Sequence, residues 1–270
     1  MVQVNTLVIT GHGISCERES AFAAELAGSD RTTIAFFSDL VASKIVLSDY
    51  NLIIFPGGFL DGDDLGAAHT AAHRWQLSQS STGRLLIDDL RSFVDDEKLI
   101  LGIGNGFQLL LKLGLLPALN GQYFTQQGVM SPNDSALFED RWVTLKVNPA
   151  SPCVFTQGLD YLYLPVRHAE GKFVPLDEQI LTQLQTQNLI TLQYADSQSL
   201  EVTQAYPANP SGSPLGIAGL TDSSGRILGL MPHPEAYTHL TNHPRWTRGE
   251  TATLGTVLLQ KGVEYLRSKK

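Results

Sequence analysis

The run Leu99-Ile-Leu-Gly-Ile-Gly-Asn-Gly-Phe-Gln-Leu-Leu-Leu-Lys-Leu113 constrains the fold of this chain more than any other stretch. Leu99 to Leu101 reads as a short buried strand. Gly102 to Gly106 is a glycine-rich turn, and Phe107, Leu110, Leu111 and Leu113 give the helix that follows an apolar face. Strand, sharp turn and helix form the setting of a nucleophile elbow, in which small residues flank a central nucleophile as G-x-Nu-x-G. Gly102 and Gly106 occupy the flanking places. The central place is Gly104, which has no side chain. The frame of an acyl-transfer site is present without its reactive atom.

The surrounding pattern is that of a parallel sheet covered on both faces. Thr6 to Thr10, Thr32 to Phe37 and Leu52 to Phe55 are apolar runs separated by helical or turn-rich stretches, as buried parallel strands require. Ser15 is placed to cap a helix from about Glu17 to Ala27, with Glu17 and Glu19 favourable in its first turn. Helices are expected over Leu65 to Ser78 and Arg84 to Asp95. After Leu116 the texture becomes β-rich, with strands expected at Trp142 to Val147, Tyr161 to His168 and Leu189 to Tyr194, and a helix over 177–187. Asp222-Ser-Ser-Gly225 is a hairpin turn between Gly216–Leu220 and Ile227–Met231. A last helix is expected from Thr251 to Arg267. The pattern predicts one α/β domain over 1–270: a mostly parallel central sheet flanked by helices, with an antiparallel β extension.

Composition removes several classes of function. A formal net charge of −8 and no basic patch argue against a nucleic-acid partner. No run of about 18 apolar residues is present, so no membrane span is expected. The first residues lack a signal-peptide pattern, and two cysteines, Cys16 and Cys153, make no disulfide framework. The expectation is a cytoplasmic protein.

Three segments compete to carry chemistry. The elbow is one. Gly57-Gly58, after the third strand, can aim backbone N–H groups at a ligand. Pro232-His233-Pro234-Glu235 holds a histidine on a stiff backbone with a carboxylate two residues on, able to orient the imidazole and fix its tautomer. With a thiol at the elbow, these would form a Cys-His-Glu triad beside an oxyanion hole. No metal-ligand spacing is recognised. The rival reading is a nucleotide-binding sheet. Gly11-His-Gly-Ile-Ser-Cys16 approximates G-x-G-x-x-G/A, and Asp39 could reach a ribose. It leaves Pro232 to Glu235 unexplained.

Phe55-Pro-Gly-Gly-Phe59, Gly102-Ile-Gly-Asn-Gly-Phe-Gln-Leu-Leu110, Arg167-His-Ala-Glu-Gly-Lys-Phe173, Tyr206-Pro-Ala-Asn-Pro-Ser-Gly-Ser-Pro-Leu-Gly-Ile-Ala-Gly219 and Gly229-Leu-Met-Pro-His-Pro-Glu235 together resemble the class I (triad) glutamine amidotransferases. More closely, the chain is similar to the glutaminase subunits of phosphoribosylformylglycinamidine synthase. The resemblance covers nearly the whole chain and implies a flavodoxin-like fold. It implies glutamine hydrolysis through a cysteine thioester, with ammonia passed to an ATP-dependent synthetase subunit in de novo purine biosynthesis. That synthetase converts formylglycinamide ribonucleotide to its amidine. A small third subunit is a further partner the family suggests. No cofactor is implied in this chain, ATP and Mg belonging to the synthetase.

By motif match, the resemblance makes His233 general base and then acid, and Glu235 its orienting carboxylate. Gly57 and Gly58 with Asn105 would supply the oxyanion turn and N–H groups, and Gln108 would help hold the substrate. Glu170 would lie near the site or the partner interface. The family has cysteine where this chain has Gly104, which removes the thiolate that a thioester needs. Cys16 follows the first strand and is expected near the same sheet edge, but not to replace the missing cysteine, because the elbow sets the geometry of attack, and Cys153 is expected to be a buried apolar residue. Two readings follow: a glutaminase subunit with impaired hydrolysis, or a non-catalytic regulatory or scaffolding subunit of a synthetase that uses free ammonia. Retention of His233 and Glu235 favours the first.

Overall fold

Strands and helices alternate through the first half of the chain. In order come β1 (Asn5–Thr10), α1 (Glu17–Leu26), β2 (Arg31–Phe36), α2 (Phe37–Val41), β3 (Leu52–Phe55), α3 (His69–Leu77), α4 (Leu86–Asp95), β4 (Leu99–Ile103) and α5 (Asn105–Lys112). The second half is richer in strands: β5 (Gly128–Ser131), β6 (Glu139–Val147), β7 (Tyr161–His168), β8 (Lys172–Pro175), α6 (Glu178–Thr186), β9 (Ile190–Ala195), β10 (Ile217–Thr221), β11 (Ile227–Leu230) and α7 (Thr256–Ser268). The computed structural model describes residues 2–269.

Nine strands form one sheet in the order β2-β1-β3-β4-β11-β10-β9-β6-β7, and β5 pairs with β8 apart from it. From β2 to β11 neighbours are parallel. From β11 to β7 they are antiparallel. The sheet is therefore the mostly parallel one that the sequence predicts, with its antiparallel extension built into the same sheet.

Side chains of the parallel strands alternate between two cores. Leu7, Ile9, Ile53, Phe55 and Ile100 point to one, and Val8, Leu52, Ile54, Leu99 and Leu101 to the other. Both faces are dry, so neighbouring positions along each strand are all apolar. Trp75 of α3, Leu90 of α4 and Leu110 of α5 close the first face. Ala23 and Ala24 of α1 and Leu259 of α7 close the second. Gly106 lets α5 approach the sheet: a Cβ there would lie 1.9 Å from the Phe55 carbonyl oxygen.

The β10–β11 hairpin positions the site. β11 returns beside β4 in parallel register, Leu230 opposite Ile103. Residues Met231 to Glu235 therefore leave the sheet at the level where β4 turns into α5. The Gly104 N–H donates to the Leu230 carbonyl at 2.8 Å, tying the two exits together.

Several boundaries differ from the sequence reading, each for a local reason. Phe37 opens α2 and does not extend β2. Ser15 does not cap α1. Cys16 holds that position without a side-chain cap, while the Ser15 N–H bonds the Gly57 carbonyl at 3.2 Å. The helix expected from Leu65 begins only at His69, because Gly66 and Ala68 adopt positive φ of 100° and 57°. The last helix begins at Thr256, not Thr251. The Tyr237 hydroxyl bonds both backbone groups of Ala252, at 3.0 and 3.1 Å, and holds that stretch extended. Among the described residues, no helix is long and apolar enough to cross a membrane.

Candidate active site

Four chain segments meet at the carboxyl end of the parallel strands, the usual ligand edge of such a sheet. They are the exits of β1, β3, β4 and β11. After β3, Gly58 takes φ +136°, and a Cβ there would lie 2.4 Å from the Gly13 carbonyl oxygen. Only glycine fits this turn. A small bridge closes it against the β1 exit: the Ser15 N–H donates to the Gly57 carbonyl at 3.2 Å, and the Phe59 N–H to the Gly13 carbonyl at 2.7 Å. Those two bonds do not use the Gly58 N–H.

Gly104 sits between β4 and α5 at φ 53°, ψ −112°. A residue with a side chain would carry strain of about 1–3 kcal/mol there. The helix starts at the next residue, so the Asn105 N–H has no intrahelical acceptor. The elbow inferred from the glycine spacing is thus a real sharp turn.

His233 faces it. Its backbone N–H bonds the Pro165 carbonyl at 2.8 Å, and Pro232 bridges to Val166. The ring Nδ1 lies 2.6 Å from Oε1 of Glu235, and both side chains are buried. The carboxylate fixes Nδ1 as the donor. Nε2 then has no protein partner, and neither does the second Glu235 oxygen. Burial alone pushes the imidazole pKa down. The Glu235 charge opposes this, the nearby Cys16 thiol adds to the opposition, and the net result lies above the ordinary histidine range. A Cβ at Gly104 would stand 3.2 Å from Nε2.

A cavity of about 260 Å³ opens in front of this pair, with Cys16, Gly58, Asn105, Gln108, His168 and His233 on its walls. Gln108 donates to the Glu170 carbonyl at 2.7 Å and accepts from Asn105 Nδ2 at 2.9 Å. It thereby pins the 167–170 segment over the cavity. Asp63 and Glu170 make one wall acidic. Burial holds Asp63 above the ordinary carboxylate range, and the Glu170 charge adds to the shift. Arg167 lies on the same rim.

His168 was not singled out as a site residue by the sequence reasoning, although its segment was. Asn133 Nδ2 donates to the Leu137 and His168 carbonyls at 2.9 and 2.8 Å, so its Oδ1 accepts from the Gly171 N–H and from His168 Nδ1, each at 3.0 Å. His168 Nε2 is left as an unpartnered acceptor. Burial, then the charge on His233, lowers its pKa to about 4.

Cys16 was expected near this sheet edge, and the structure brings it into the cavity itself. Its thiol, a ring nitrogen of His233 and a Glu235 oxygen all lie within 4.8 Å of one another. These are donor types that suit zinc, but the imidazole and carboxylate are already hydrogen-bonded to each other. Cys153 is fully buried, as expected. The nucleotide-binding alternative loses its support. The N–H groups of Ile14 and Ser15, which a phosphate would need, are spent on the Gly11 and Gly57 carbonyls, each at 3.2 Å, and Asp39 accepts the Phe36 N–H at 3.1 Å as a local cap.

An elbow, a buried His–Glu pair and free N–H groups around one cavity describe a site for opening a carboxamide, and the chain belongs to the glutamine amidotransferase family. The profile of the CobB/CobQ-like glutamine amidotransferase domain matches residues 3–266. The chain is 40% identical over 240 residues to phosphoribosylformylglycinamidine synthase subunit PurQ of Methanococcus maripaludis, covering 89% of this chain and 85% of that protein. It is 42% identical over 248 residues to the PurQ subunit of Dehalococcoides mccartyi, covering 91% and 90%. A chain in the solved structure of PurLQS from Thermotoga maritima superposes with TM-score 0.70 at 26% identity, covering 98% of this chain and 100% of that one.

Proposed function

We propose that this chain is the glutaminase subunit of a phosphoribosylformylglycinamidine synthase, delivering ammonia from glutamine to an ATP-dependent synthetase subunit. The PurQ relatives match it over most of both lengths. The observation that carries the chemistry is the buried, unpartnered Nε2 of His233 set against the turn at Gly104. In this reading the glutamine carboxamide enters between the elbow and the Gly57-Gly58 turn. The N–H groups of Gly58 and Asn105 receive the oxyanion, where aligned donors act most strongly. His233 takes a proton at Nε2 and returns it to the leaving ammonia, with Glu235 holding the ring through Nδ1.

The acidic wall of Asp63 and Glu170 suits the α-ammonium of glutamine, and Arg167 its α-carboxylate. Gln108 and Asn105 hold that wall in place. Gly104 stands at the family's nucleophile position, so the elbow contributes shape and donors but no thiol. No cofactor is assigned to this chain, and ATP and Mg act in the synthetase. The protein would work in the cytoplasm, in a complex that a small third subunit completes, with neither nucleic acid nor membrane as a partner.

The test is assembly and ligand binding. The chain mixed with the synthetase subunit should elute as a complex, and that complex should give a heat of binding with glutamine. Absence of both would overturn the reading. Assembly without glutamine binding would favour a scaffolding subunit fed by free ammonia.

A further inference from the structure

Cys16 Sγ, a ring nitrogen of His233 and a carboxylate oxygen of Glu235 lie within 4.8 Å of one another. The nitrogen on that side of the ring is Nδ1. A Cβ at Gly57 would lie 3.4 Å from Nδ1 and 3.6 Å from Cys16 Sγ, so both atoms border the same spot. Nδ1 in turn is 2.6 Å from Oε1 of Glu235. Nε2 lies on the opposite side of the ring, toward Gly104. The thiol therefore faces the edge of His233 that the base does not use.

Thiolate sulfur, imidazole nitrogen and carboxylate oxygen are a zinc donor set, and three protein ligands with one open place form a common zinc geometry. The thiolate and the carboxylate together balance a divalent charge. At ordinary zinc bond lengths, ligand atoms around one ion stand about 3.3–3.6 Å apart. The cluster reaches that spacing by small movements. The Nδ1–Oε1 pair opens from 2.6 Å, and the sulfur closes in. Cys16 has that freedom: it is partly exposed, and its polar contact is the Ser15 hydroxyl at 3.7 Å. Glu235 has an oxygen to give. Its side chain is buried, and Oε2 has no partner, a desolvation cost that a bound cation would remove. Cys16 and His233 both line the cavity, which supplies the route from solvent and the open fourth place.

We propose that Cys16, His233 Nδ1 and Glu235 form an inhibitory site for a divalent cation of the zinc class, entered from the cavity. On binding, the thiol proton leaves to solvent. Sulfur, Nδ1 and a carboxylate oxygen bond the ion, and water takes the fourth place. A neutral imidazole carries one proton, so with Nδ1 on the metal that proton resides on Nε2. The metal thus reverses the tautomer that Glu235 imposes. Nε2 changes from acceptor to donor, and the base facing Gly104 is switched off. That inhibitory consequence rests on the glutaminase reading above, whereas the metal site does not. No oxidant or reductant enters the balance.

The test uses the full chain without an affinity tag, stripped of metal by a chelator that is then removed. Zinc is titrated by calorimetry, and Co²⁺ serves as the spectroscopic probe. The proton on the His233 ring is placed by NMR of the chain labelled with ¹⁵N-histidine. The parent should bind zinc and, with cobalt, show a thiolate-to-metal charge-transfer band in the near ultraviolet. The His233 proton should move from Nδ1 to Nε2. Cys16→Ser should abolish the band and weaken zinc at least about 100-fold, beyond the 10–100-fold typical of groups that only orient a ligand. Cys153→Ala should keep the band. The rival zinc ligands are His69 and His73, one turn apart on α3 with ring centroids 4.7 Å apart, and His73→Ala should leave the affinity unchanged. A parent chain with no cobalt–thiolate band, a Cys16→Ser chain that keeps full zinc affinity, or a loss in His73→Ala instead would overturn the site. A zinc-bound chain with the proton still on Nδ1 would overturn the inhibitory role. Failure of the synthetase complex to bind glutamine would remove the glutaminase reading and leave these metal signatures as they are.

Discussion

The Cβ that Gly104 lacks would stand 3.2 Å from Nε2 of His233. The missing atom therefore points at the one ring nitrogen that has no partner, while the other is committed to Glu235 at 2.6 Å. A thiol added at 104 would stand beside its base. The contact is tight enough that the ring must yield slightly.

Gly104→Cys should therefore raise ammonia release by the complex well above the parent rate, by about 100-fold or more on the scale of nucleophile removal. It should also lower stability by about 1–3 kcal/mol, because φ is 53° at that position and a side chain there is strained. Steady-state ammonia assays and urea unfolding check the two halves separately.

Gly58→Ala should be costly without touching the nucleophile. The new methyl would lie 2.4 Å from the Gly13 carbonyl oxygen, at φ +136°. Backbone strain and overpacking together should destabilise by roughly 2–4 kcal/mol. Glutamine binding should weaken as the turn shifts. An unchanged urea midpoint would contradict the geometry of the bridge between Ile14 and Gly58.

Glu235→Gln, made in the Gly104→Cys chain so that turnover is easily measured, should reduce kcat by up to about 10⁴-fold, by analogy with a triad whose orienting carboxylate is converted to its amide. The effect should fall on kcat far more than on KM, since Glu235 touches His233 and not the cavity. A variant with normal kcat would show that the 2.6 Å contact has no catalytic role.

Acid should destabilise the fold through His168. Its folded pKa, lowered to about 4, lies below its ordinary 6.5. Between these values the unfolded chain binds the extra proton, so stability rises with pH across the window and is lost as pH falls from about 6.5 to 4. The size is roughly 3 kcal/mol. His233 has the opposite sign: its raised pKa gives stability that is present below about 6.5 and is lost as the pH rises through the folded value. Urea unfolding at pH 7.0 and 4.5 should show a smaller acid loss in His168→Leu than in the parent chain.

The parallel half of the fold is readable because its strands are buried on both faces. Leu52-Ile-Ile-Phe55 is apolar at every position, since alternate residues enter different cores. The hairpin at Asp222–Gly225 was equally legible, as its turn residues announce it. The late start of α7 was not, because it depends on the Tyr237 hydroxyl holding Ala252 from 15 residues away. Nor was the β5–β8 ribbon, with four residues in each strand.

At the site, Gly58, Gly104, His233 and Glu235 stood out because glycine turns and Pro-His-Pro-Glu are local signals. The sheet edge at which Cys16 lies was legible, since the residue follows the first strand, and β1 neighbours β3 in parallel. Its place in the cavity wall was hidden, since a sequence does not show how the loop after β1 folds back onto the turn after β3. The role of Asn133 in setting the His168 tautomer depends on a contact 35 residues away and left no trace in the local pattern.

The most direct test of the account is ammonia release from glutamine by this chain and by Gly104→Cys, each assembled with the matching synthetase subunit. The account predicts little or no turnover by the parent and a large gain in the Gly104→Cys complex. No gain in a Gly104→Cys complex that assembles and binds glutamine would contradict it, because the turn facing His233 would then not be a nucleophile elbow.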